Sequence, residues 1–313
     1  MKAFSTAHKL AIAAVEIAPF YDAASGTVTY VVSDPDSGEA AVIDTVLDFE
    51  PDSGRIASTG VHKLVDHLRE RELWLRWILE THAHADHLSG AQALKHEMGG
   101  EIAIGEHILQ VQQRFGKLFD MPPQTWEEGG GFDRLLADRE CLALGNKEIE
   151  VLATPGHTPA CVSYRIDDAV FVGDTLFMPD VGTARADFPG GDARQLYRSI
   201  HRLLALPAET RLFMCHDYGL ESRAPAWQST VAEERSSNPM VGEGISEEAF
   251  VSIRGRRDAT LGAPARMLAA LQVNICAGRL PPPAANGISY LKIPLNVLGG
   301  LNTIDRERSR AVA

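Results

Sequence analysis

The chain has 313 residues, of which 45% are hydrophobic and 23% charged, so the composition supports a full core and excludes a mainly disordered protein. Its 42 acidic and 30 basic residues give a net charge of -12, which argues against wholesale nucleic-acid binding. No apolar run approaches the length of a membrane span, so no membrane partner is expected.

The N-terminal sequence and the cysteines indicate the cellular compartment in which the protein is expected. Residues 10–17 are mostly apolar and follow Lys2 and Lys9, so they resemble the core of a signal peptide, but Glu16 interrupts the run and strand-like sequence follows at once. The cysteines form no CxxC pair, which predicts neither a disulfide framework nor a zinc ribbon; they are Cys141, Cys161, Cys215 and Cys276. We therefore expect a reducing, cytoplasmic setting.

Strand-like runs alternate with helix-period stretches along the chain and predict a mixed α/β fold. The predicted strands are residues 27–32, 40–43, 74–79, 148–153, 162–166, 169–172 and 211–214. The predicted helices are residues 61–71, 89–98, 192–204 and 264–277. Residues 34–38, Asp-Pro-Asp-Ser-Gly, have the turn chemistry of a hairpin, so part of the sheet is expected to be antiparallel.

Two stretches depart from this alternation. Residues 115–136 contain two adjacent prolines and three adjacent glycines and are interpreted as a long loop or lid inserted in a core of residues 1–220. Residues 221–313 contain helices, a run of three prolines and an apolar run at 288–297, and predict a C-terminal helical elaboration packed on that core. Residues 305–313 are expected to be a solvated tail.

Three histidines and a carboxylate fall within six residues, directly after the predicted strand 74–79; they are His82, His84, Asp86 and His87. Imidazoles two residues apart on an extended backbone point the same way, and the Asp-His pair at the start of a helix can turn toward the same centre. Burying these groups together is costly unless a cation compensates. A solvated polar loop is the alternative, but the spacing favours a metal site.

Three further candidate ligands lie downstream: His157, Asp174 and His216. Each directly follows a strand-like run, so each is expected at the carboxyl end of a strand, where loops from a sheet edge converge. A lone histidine there is more often a structural residue. The recurrence in this order makes the metal interpretation much stronger than any single match.

These segments resemble the metallo-β-lactamase superfamily over roughly residues 28–218. The matching motifs are Thr81-His82-Ala83-His84-Ala85-Asp86-His87, Pro155-Gly156-His157-Thr158, Gly173-Asp174-Thr175 and the late His216. The resemblance implies an α/β fold, a four-layer αβ/βα sandwich with the site at one edge of its two sheets. It is specific for fold and metal and much less so for substrate.

The finer resemblance is to the persulfide dioxygenases, the branch close to glyoxalase II. Ala85 stands where glyoxalase II usually has a bulky aromatic residue. Further matching blocks are Gly173-Asp174-Thr175-Leu176-Phe177, Ala184-Arg185-Ala186-Asp187-Phe188, His216-Asp217-Tyr218, Glu233-Glu234-Arg235 and Asn238-Pro239. Ala184 and Ala186 replace the branch's Gly and Thr, and the extra length resembles a bacterial subgroup labelled β-lactamase-like hydrolase, which leaves the thiol carrier open.

The resemblance implies one Fe(II) per chain, bound by His82, His157 and Asp174 as metal ligands and catalytic residues. Two imidazoles and one carboxylate also form the facial triad of non-haem Fe(II) oxygenases, whereas zinc could substitute at the same atoms without redox chemistry. The implied reaction converts glutathione persulfide, dioxygen and water to glutathione and sulfite. The remaining motif residues would surround these ligands or hold a second metal; they are His84, Asp86, His87 and His216.

The carboxylates of glutathione require a guanidinium, and Arg185 is the first choice, with Tyr218 as a hydrogen-bonding partner. The alternative for Arg185 is a structural ion pair with Asp187 or Asp180. Cys161 and Cys215 lie near the ligand loops, where unpaired cysteines are usually small hydrophobes.

Two other functions remain open. A glyoxalase II-like thioester hydrolase would bind two metals, with Asp174 as the bridging ligand, and every residue that it needs is present. A non-enzymatic persulfide sensor would keep the metal without turnover. The sequence leaves the oligomeric state open, and a homodimer is one state that it allows.

Overall fold

The computed structural model describes residues 14–218 and 223–295 of the chain. Its strands are β1 (Glu16–Asp22), β2 (Thr27–Ser33), β3 (Glu39–Ile43), β4 (Val46–Glu50), β5 (Arg55–Ala57), β6 (Trp74–Leu79), β7 (Leu88–Ser89), β8 (Glu101–Gly105), β9 (Arg134–Leu136), β10 (Cys141–Leu144), β11 (Lys147–Ala153), β12 (Val162–Ile166), β13 (Ala169–Phe171), β14 (Arg211–Phe213) and β15 (Gln228–Thr230). Its helices are α1 (Thr59–Glu70), α2 (Ala91–Met98), α3 (Ile108–Leu118), α4 (Ala193–Leu204), α5 (Val231–Ser237), α6 (Glu247–Asp258) and α7 (Met267–Asn274). The expectations for Lys2, Lys9 and residues 305–313 lie outside the described residues.

Two six-stranded sheets form the centre of the molecule. The first has the order β1-β2-β3-β6-β8-β9 and the second β10-β11-β12-β13-β14-β15. Their inner faces share one core, to which Tyr30 and Trp77 contribute from the first sheet and Tyr164 and Phe171 from the second. Because successive strand residues face opposite sides, Val31 packs instead under the helices on the outer face.

Helices cover the outer face of each sheet. In α1 the buried residues recur every three or four positions, so one stripe of the helix faces the first sheet; they are Val61, Leu64, Val65 and Leu68. Side chains of α2 and α7 join that layer, and side chains of α4 and α6 cover the second sheet. The α/β, four-layer αβ/βα sandwich predicted from the sequence is therefore confirmed. No helix of the described ranges is both long enough and apolar enough to cross a membrane.

The predicted elements are found at nearly their predicted bounds. The predicted hairpin joins β2 to β3, which pair antiparallel with Tyr30 opposite Ile43. Eight strands and three helices were not predicted from the sequence: β1, β4, β5, β7, β8, β9, β10, β15, α3, α5 and α6. At the N-terminus, Glu16 and Ile17 of the signal-like run begin β1, which pairs antiparallel with β2. A carboxylate fits at an edge strand because it faces solvent.

The loop predicted for residues 115–136 is found at residues 119–133, which contain only two short 3₁₀ turns, but α3 and β9 form the two ends of the segment and its aromatic residues are part of the core. Phe115, Phe119 and Trp126 are buried in one cluster with side chains of α7, and β9 forms an edge of the first sheet. The prolines and glycines mark two short 3₁₀ turns, while the aromatic residues between them fill the core. At Gly116 a Cβ would lie 2.4 Å from the Trp126 ring, so this glycine permits the close packing.

Candidate metal centre

The predicted ligands lie at the carboxyl ends of strands and come from both sheets. His82 follows β6 of the first sheet, while His157, Asp174 and His216 follow β11, β13 and β14 of the second. Gly173 has φ of 54°, and a Cβ there would lie 2.7 Å from the Thr81 side chain. This glycine therefore lets the Asp174 turn approach the histidine loop.

Among the described residues, four groups of three bring their ligand atoms close enough to hold a metal, and one of them is His82, His157 and Asp174; the others are His84-Cys215-His216, His84-Asp86-His87 and Asp44-Glu80-His84. The Oδ2 atom of Asp174 lies 3.8 Å from Nε2 of His82 and 3.6 Å from Nε2 of His157. All three side chains are buried, and their ligand atoms lie within 4.8 Å of one another. These separations are too long for hydrogen bonds, yet one metal ion with bonds of about 2.1 Å can bridge such atoms.

The other ring nitrogen of each of these histidines has a partner of its own. Nδ1 of His157 lies 2.8 Å from the backbone oxygen of Arg185, and Nδ1 of His82 lies 3.0 Å from Oγ1 of Thr81. Such contacts orient metal-binding imidazoles. Burial and the neighbouring imidazoles hold the pKa of His82 well below its usual value, which favours the neutral form that binds metals. The three residues thus fit a metal ion.

A second set of predicted residues lies beside the first and is joined by contacts within the protein. The Oδ2 atom of Asp86 accepts a hydrogen bond from Thr27 Oγ1 at 3.2 Å and lies 3.4 Å from Nδ1 of both His87 and His216. Nε2 of His216 lies 3.3 Å from Oδ1 of Asp174. The structure therefore gathers all seven predicted residues at one edge of the two sheets.

His84 faces two buried carboxylates. Its Nε2 atom lies 2.9 Å from Oδ1 of Asp44 and 3.4 Å from Oε2 of Glu80. Burial opposes a charge on His84, but the two carboxylates outweigh burial and raise its pKa well above the usual value. Asp44 also accepts hydrogen bonds from the backbone nitrogen and hydroxyl of Thr81, so it ties the histidine loop to the end of β3.

The predicted substrate residues differ in their surroundings. The guanidinium of Arg185 donates to both oxygens of Asp187, at 2.6 and 2.8 Å, and to the backbone oxygen of Gly262. The ion pair with Asp187 considered from the sequence is therefore present, while Asp180 pairs with Arg223 instead. The ring of Tyr218 is exposed and stacks on His216, with centroids 5.5 Å apart. A substrate role for Arg185 and Tyr218 stays a prediction.

Neither cysteine near the centre has the character of a nucleophile. Burial raises the pKa of Cys161 to about 12, and burial together with Asp44 raises that of Cys215 well above its usual value. Both thiols are therefore protonated at neutral pH and inert, as expected for small buried residues.

The sequence pattern of the metallo-beta-lactamase superfamily matches residues 22–216, more than half of the 313 residues. The chain belongs to this superfamily. A probable metallo-hydrolase of Burkholderia pseudomallei is 52% identical over 289 residues, covering 89% of this chain and 98% of that one. The mitochondrial persulfide dioxygenase ETHE1 of Homo sapiens is 30% identical over 268 residues, 84% of this chain and 89% of the human protein.

A crystal structure of ETHE1 from Myxococcus xanthus superposes with a TM-score of 0.68 at 29% identity. The superposition covers 84% of this chain and 100% of the Myxococcus xanthus chain. The similarities to the two ETHE1 proteins support the resemblance of this chain to the persulfide dioxygenase branch of the metallo-β-lactamase superfamily.

Two residues around this site were not identified from the sequence. Asp44 directly follows the strand β3, the same signal that identified His82, but a lone aspartate did not stand out. Asn274 in α7 donates hydrogen bonds of 2.8 Å to the backbone oxygens of His84 and His87. Nothing local marks Asn274, because its partners are far away in the sequence.

Proposed function

We propose that this chain is a persulfide dioxygenase that converts glutathione persulfide, or a related low-molecular-weight persulfide, with dioxygen and water to the thiol and sulfite. In this proposal one Fe(II) is held by His82, His157 and Asp174. The observation that carries the proposal is the convergence of two imidazole nitrogens and one carboxylate oxygen at 3.6 and 3.8 Å. Two imidazoles and a carboxylate are the ligand set of non-haem Fe(II) oxygenases.

One protein donor competes with a second metal for Asp86, because the Asp86 Oδ2 atom accepts a hydrogen bond from Thr27 Oγ1 at 3.2 Å. The separations of 3.4 Å from ring nitrogens of His87 and His216 are compatible with a second ion, since His84, Asp86 and His87 form a candidate metal group of their own. The likeness to the persulfide dioxygenase of Homo sapiens favours the dioxygenase.

The chemistry supplied by bound iron would be redox activation of dioxygen beside the persulfide sulfur, which zinc cannot provide. The chain's own residues orient and shield that site. The Arg185 carbonyl and the Thr81 hydroxyl hold the imidazoles of His157 and His82 in place. The buried Phe188 ring packs 5.7 Å from the His157 ring, between centroids, and covers one side of that imidazole.

A thioester hydrolase with two metals is the second candidate, supported by a different observation. The buried Nδ1 of His84 and Nε2 of His87 have no hydrogen-bond partner within residues 14–218 and 223–295. These are atoms that a second metal could use. The relative from Burkholderia pseudomallei is named a probable metallo-hydrolase.

Metal content and turnover distinguish the candidates. Purified protein would be loaded with Fe(II) without oxygen, its iron counted by mass spectrometry, and its oxygen uptake followed with glutathione persulfide. We expect one iron per chain, one sulfite formed for each oxygen consumed, and no hydrolysis of S-lactoylglutathione. Two metals per chain with thioester hydrolysis would favour the hydrolase. Metal binding without either activity would favour a persulfide sensor.

A further inference from the structure

One backbone peptide group lies between a candidate metal ligand and helix α6. This peptide joins Arg185 to Ala186. Its carbonyl oxygen lies 2.8 Å from Nδ1 of His157, and its N–H group donates to Oδ2 of Asp258 at 3.0 Å. The peptide is trans, so its carbonyl and its N–H point in opposite directions. A single planar group therefore connects the imidazole on one side to the carboxylate on the other.

The carboxylate of Asp258 is held in turn by a buried arginine. Nε of Arg254 donates to Oδ1 of Asp258 at 2.8 Å, and Nη2 lies 2.6 Å from the same oxygen. Nη1 of Arg254 donates to the backbone oxygen of Thr183 at 2.9 Å, which fixes the guanidinium. The exposed fractions are 1% for Arg254 and 5% for Asp258, so solvent screens this pair little. Each oxygen of Asp258 thus has its own partner, the guanidinium for Oδ1 and the Ala186 peptide for Oδ2.

The position of Asp258 within its helix indicates a role outside that helix. It is the last residue of α6 (Glu247–Asp258), where a carboxylate meets the negative end of the helix dipole. Taking its ion pair with Arg254 out of water also costs free energy that hydrogen bonds must offset. Helix stability therefore does not account for an aspartate here, whereas the hydrogen bond from the Ala186 N–H does.

Hydrogen bonds in series strengthen one another, because each bond polarises the group that makes the next. A carboxylate that accepts from the Ala186 N–H draws electron density toward the Arg185 oxygen and makes that oxygen a better acceptor. The stronger bond holds the Nδ1 proton of His157 and raises the electron density at Nε2, the atom that faces Asp174 at 3.6 Å. Carboxylates that bond directly to a metal-binding histidine act in the same way.

We infer that Asp258 and Arg254 are positioning residues of the metal centre. They act through the peptide between Arg185 and Ala186, which orients His157 and strengthens it as a metal ligand. The inference rests on the part of the proposed function that makes His157 a metal ligand, and it holds whichever metal ion is bound. It assigns to α6 a role in metal binding, although no residue of that helix is a candidate ligand.

The first test measures metal affinity without turnover. Metal-free parent and variant proteins would be titrated with Co(II) in competition with a chelating dye. We expect Asp258→Asn to weaken Co(II) binding about three- to tenfold, less than the roughly ten- to a hundredfold typical of a group that bonds to a ligand directly. Asparagine has the shape of aspartate but one acceptor oxygen in place of two, so Arg254 and Ala186 cannot keep separate oxygens. Asp258→Ala should weaken binding at least as much.

Phe250→Leu is the matched control for a general loosening of α6. Phe250 is buried in the same helix, and its ring packs on that of Tyr197 in α4. This variant should lower the melting temperature, as the Asp258 variants do, because a smaller side chain leaves a cavity in the core. Its Co(II) affinity should stay within about twofold of that of the parent, since it leaves the relay of hydrogen bonds intact.

The second test observes the hydrogen bond of His157 in the metal-free protein. With ¹⁵N-labelled histidine, NMR detects the Nδ1 proton of His157, which is assigned by its loss in His157→Gln. Asp258→Asn should move this signal upfield, because the bond to the Arg185 oxygen weakens, while the signals of His82 stay in place. Phe250→Leu should leave both histidines unchanged.

Two results would overturn the inference. One is an unchanged His157 signal in Asp258→Asn. The other is a loss of Co(II) affinity in Asp258→Asn no greater than in Phe250→Leu at a similar melting temperature, which would reduce the ion pair of Asp258 to a structural contact. Absence of oxygen uptake in the iron-loaded parent would count against the proposed function alone, because neither readout depends on turnover.

Discussion

The Nδ1 atom of His157 lies 2.8 Å from the backbone carbonyl oxygen of Arg185. A carbonyl oxygen only accepts hydrogen bonds, so Nδ1 carries the proton and donates. The lone pair of Nε2 then faces Asp174, 3.6 Å away. This contact sets the tautomer in which His157 can bind a metal before any metal arrives.

Removing His157 should therefore have a different effect from removing His87 or His216. We expect His157→Ala to abolish iron binding and oxygen uptake together, because a facial triad has no spare protein ligand. His87→Ala and His216→Ala should keep most of the iron and weaken activity or affinity by roughly ten- to a hundredfold. Metal content by mass spectrometry beside oxygen uptake measures both effects. Two metal equivalents in the parent, with one lost in His216→Ala, would contradict a mononuclear centre.

Asp44→Asn should loosen the histidine loop. The buried carboxylate accepts from the backbone nitrogen of Thr81 at 2.7 Å and lies 2.9 Å from His84, and an amide cannot accept from every one of these donors. We expect a loss of about 2–4 kcal/mol in the free energy of unfolding, and metal affinity lower by about ten- to a hundredfold. Urea unfolding and a metal-competition titration measure the two effects.

Asp120→Asn is a suitable control for that variant. Both aspartates have positive φ, 56° for Asp44 and 49° for Asp120. The Asp120 side chain is exposed, whereas that of Asp44 is buried. Asparagine tolerates this backbone conformation, so strain contributes little at either position. The control should leave stability and metal affinity unchanged. Equal effects in the two variants would contradict a role for the buried contacts of Asp44.

Asn274 connects α7 to the loop that carries the candidate ligands His84 and His87. Besides its bonds to the oxygens of His84 and His87, its Oδ1 atom accepts from the backbone nitrogen of Ser89 at 2.7 Å. Asn274→Ala leaves these buried groups unpaired, and we expect a destabilisation of about 3–5 kcal/mol with lower iron occupancy. Gln272→Ala is the matched control, because Gln272 is buried in the same helix but bonds to Lys292 instead. If the control lost as much iron, a general loosening of α7 would explain both variants.

Glu234 makes stability depend on pH. Burial raises the pKa of this carboxyl from 4.5 to about 7, although Asn238 donates to it at 2.8 Å. Below pH 4.5 both folded and unfolded states are protonated, so there is no penalty. As the pH rises from 4.5 to 7, Glu234 ionises only in the unfolded state, so the free energy of unfolding falls by up to roughly 3 kcal/mol. Above pH 7 both states are ionised and this contribution stays constant.

We therefore expect Glu234→Gln to stabilise the protein relative to the parent increasingly between about pH 4.5 and 7, with a constant difference above pH 7. Urea unfolding of both proteins across this range gives the difference directly, and contributions from other groups cancel. Glu243→Gln is a control for the loss of one charge at an exposed site. A difference between parent and Glu234→Gln that does not vary with pH would disprove the raised pKa.

The sequence determined those elements that residue composition and periodicity mark within a short stretch of chain. Val- and Ile-rich strands, the turn at residues 34–38 and the amphipathic stripe of α1 depend on contacts between near neighbours and on burial of one face. Strand ends also marked three of the candidate ligands, while their choice as a metal triad followed from the resemblance to the superfamily. Each of His82, His157 and Asp174 directly follows a strand, and strand ends place such residues at the edge of a sheet.

Only the tertiary structure decided which polar groups meet each other. The bond from Asn274 to the His84 backbone joins residues 190 positions apart, and the contact between Arg266 and Asp86 joins residues 180 apart. The aromatic residues of segment 115–136 likewise became core only because α7 packs against them. Such contacts depend on how whole layers pack, and a side chain's local sequence carries no information about the partner that packing brings to it.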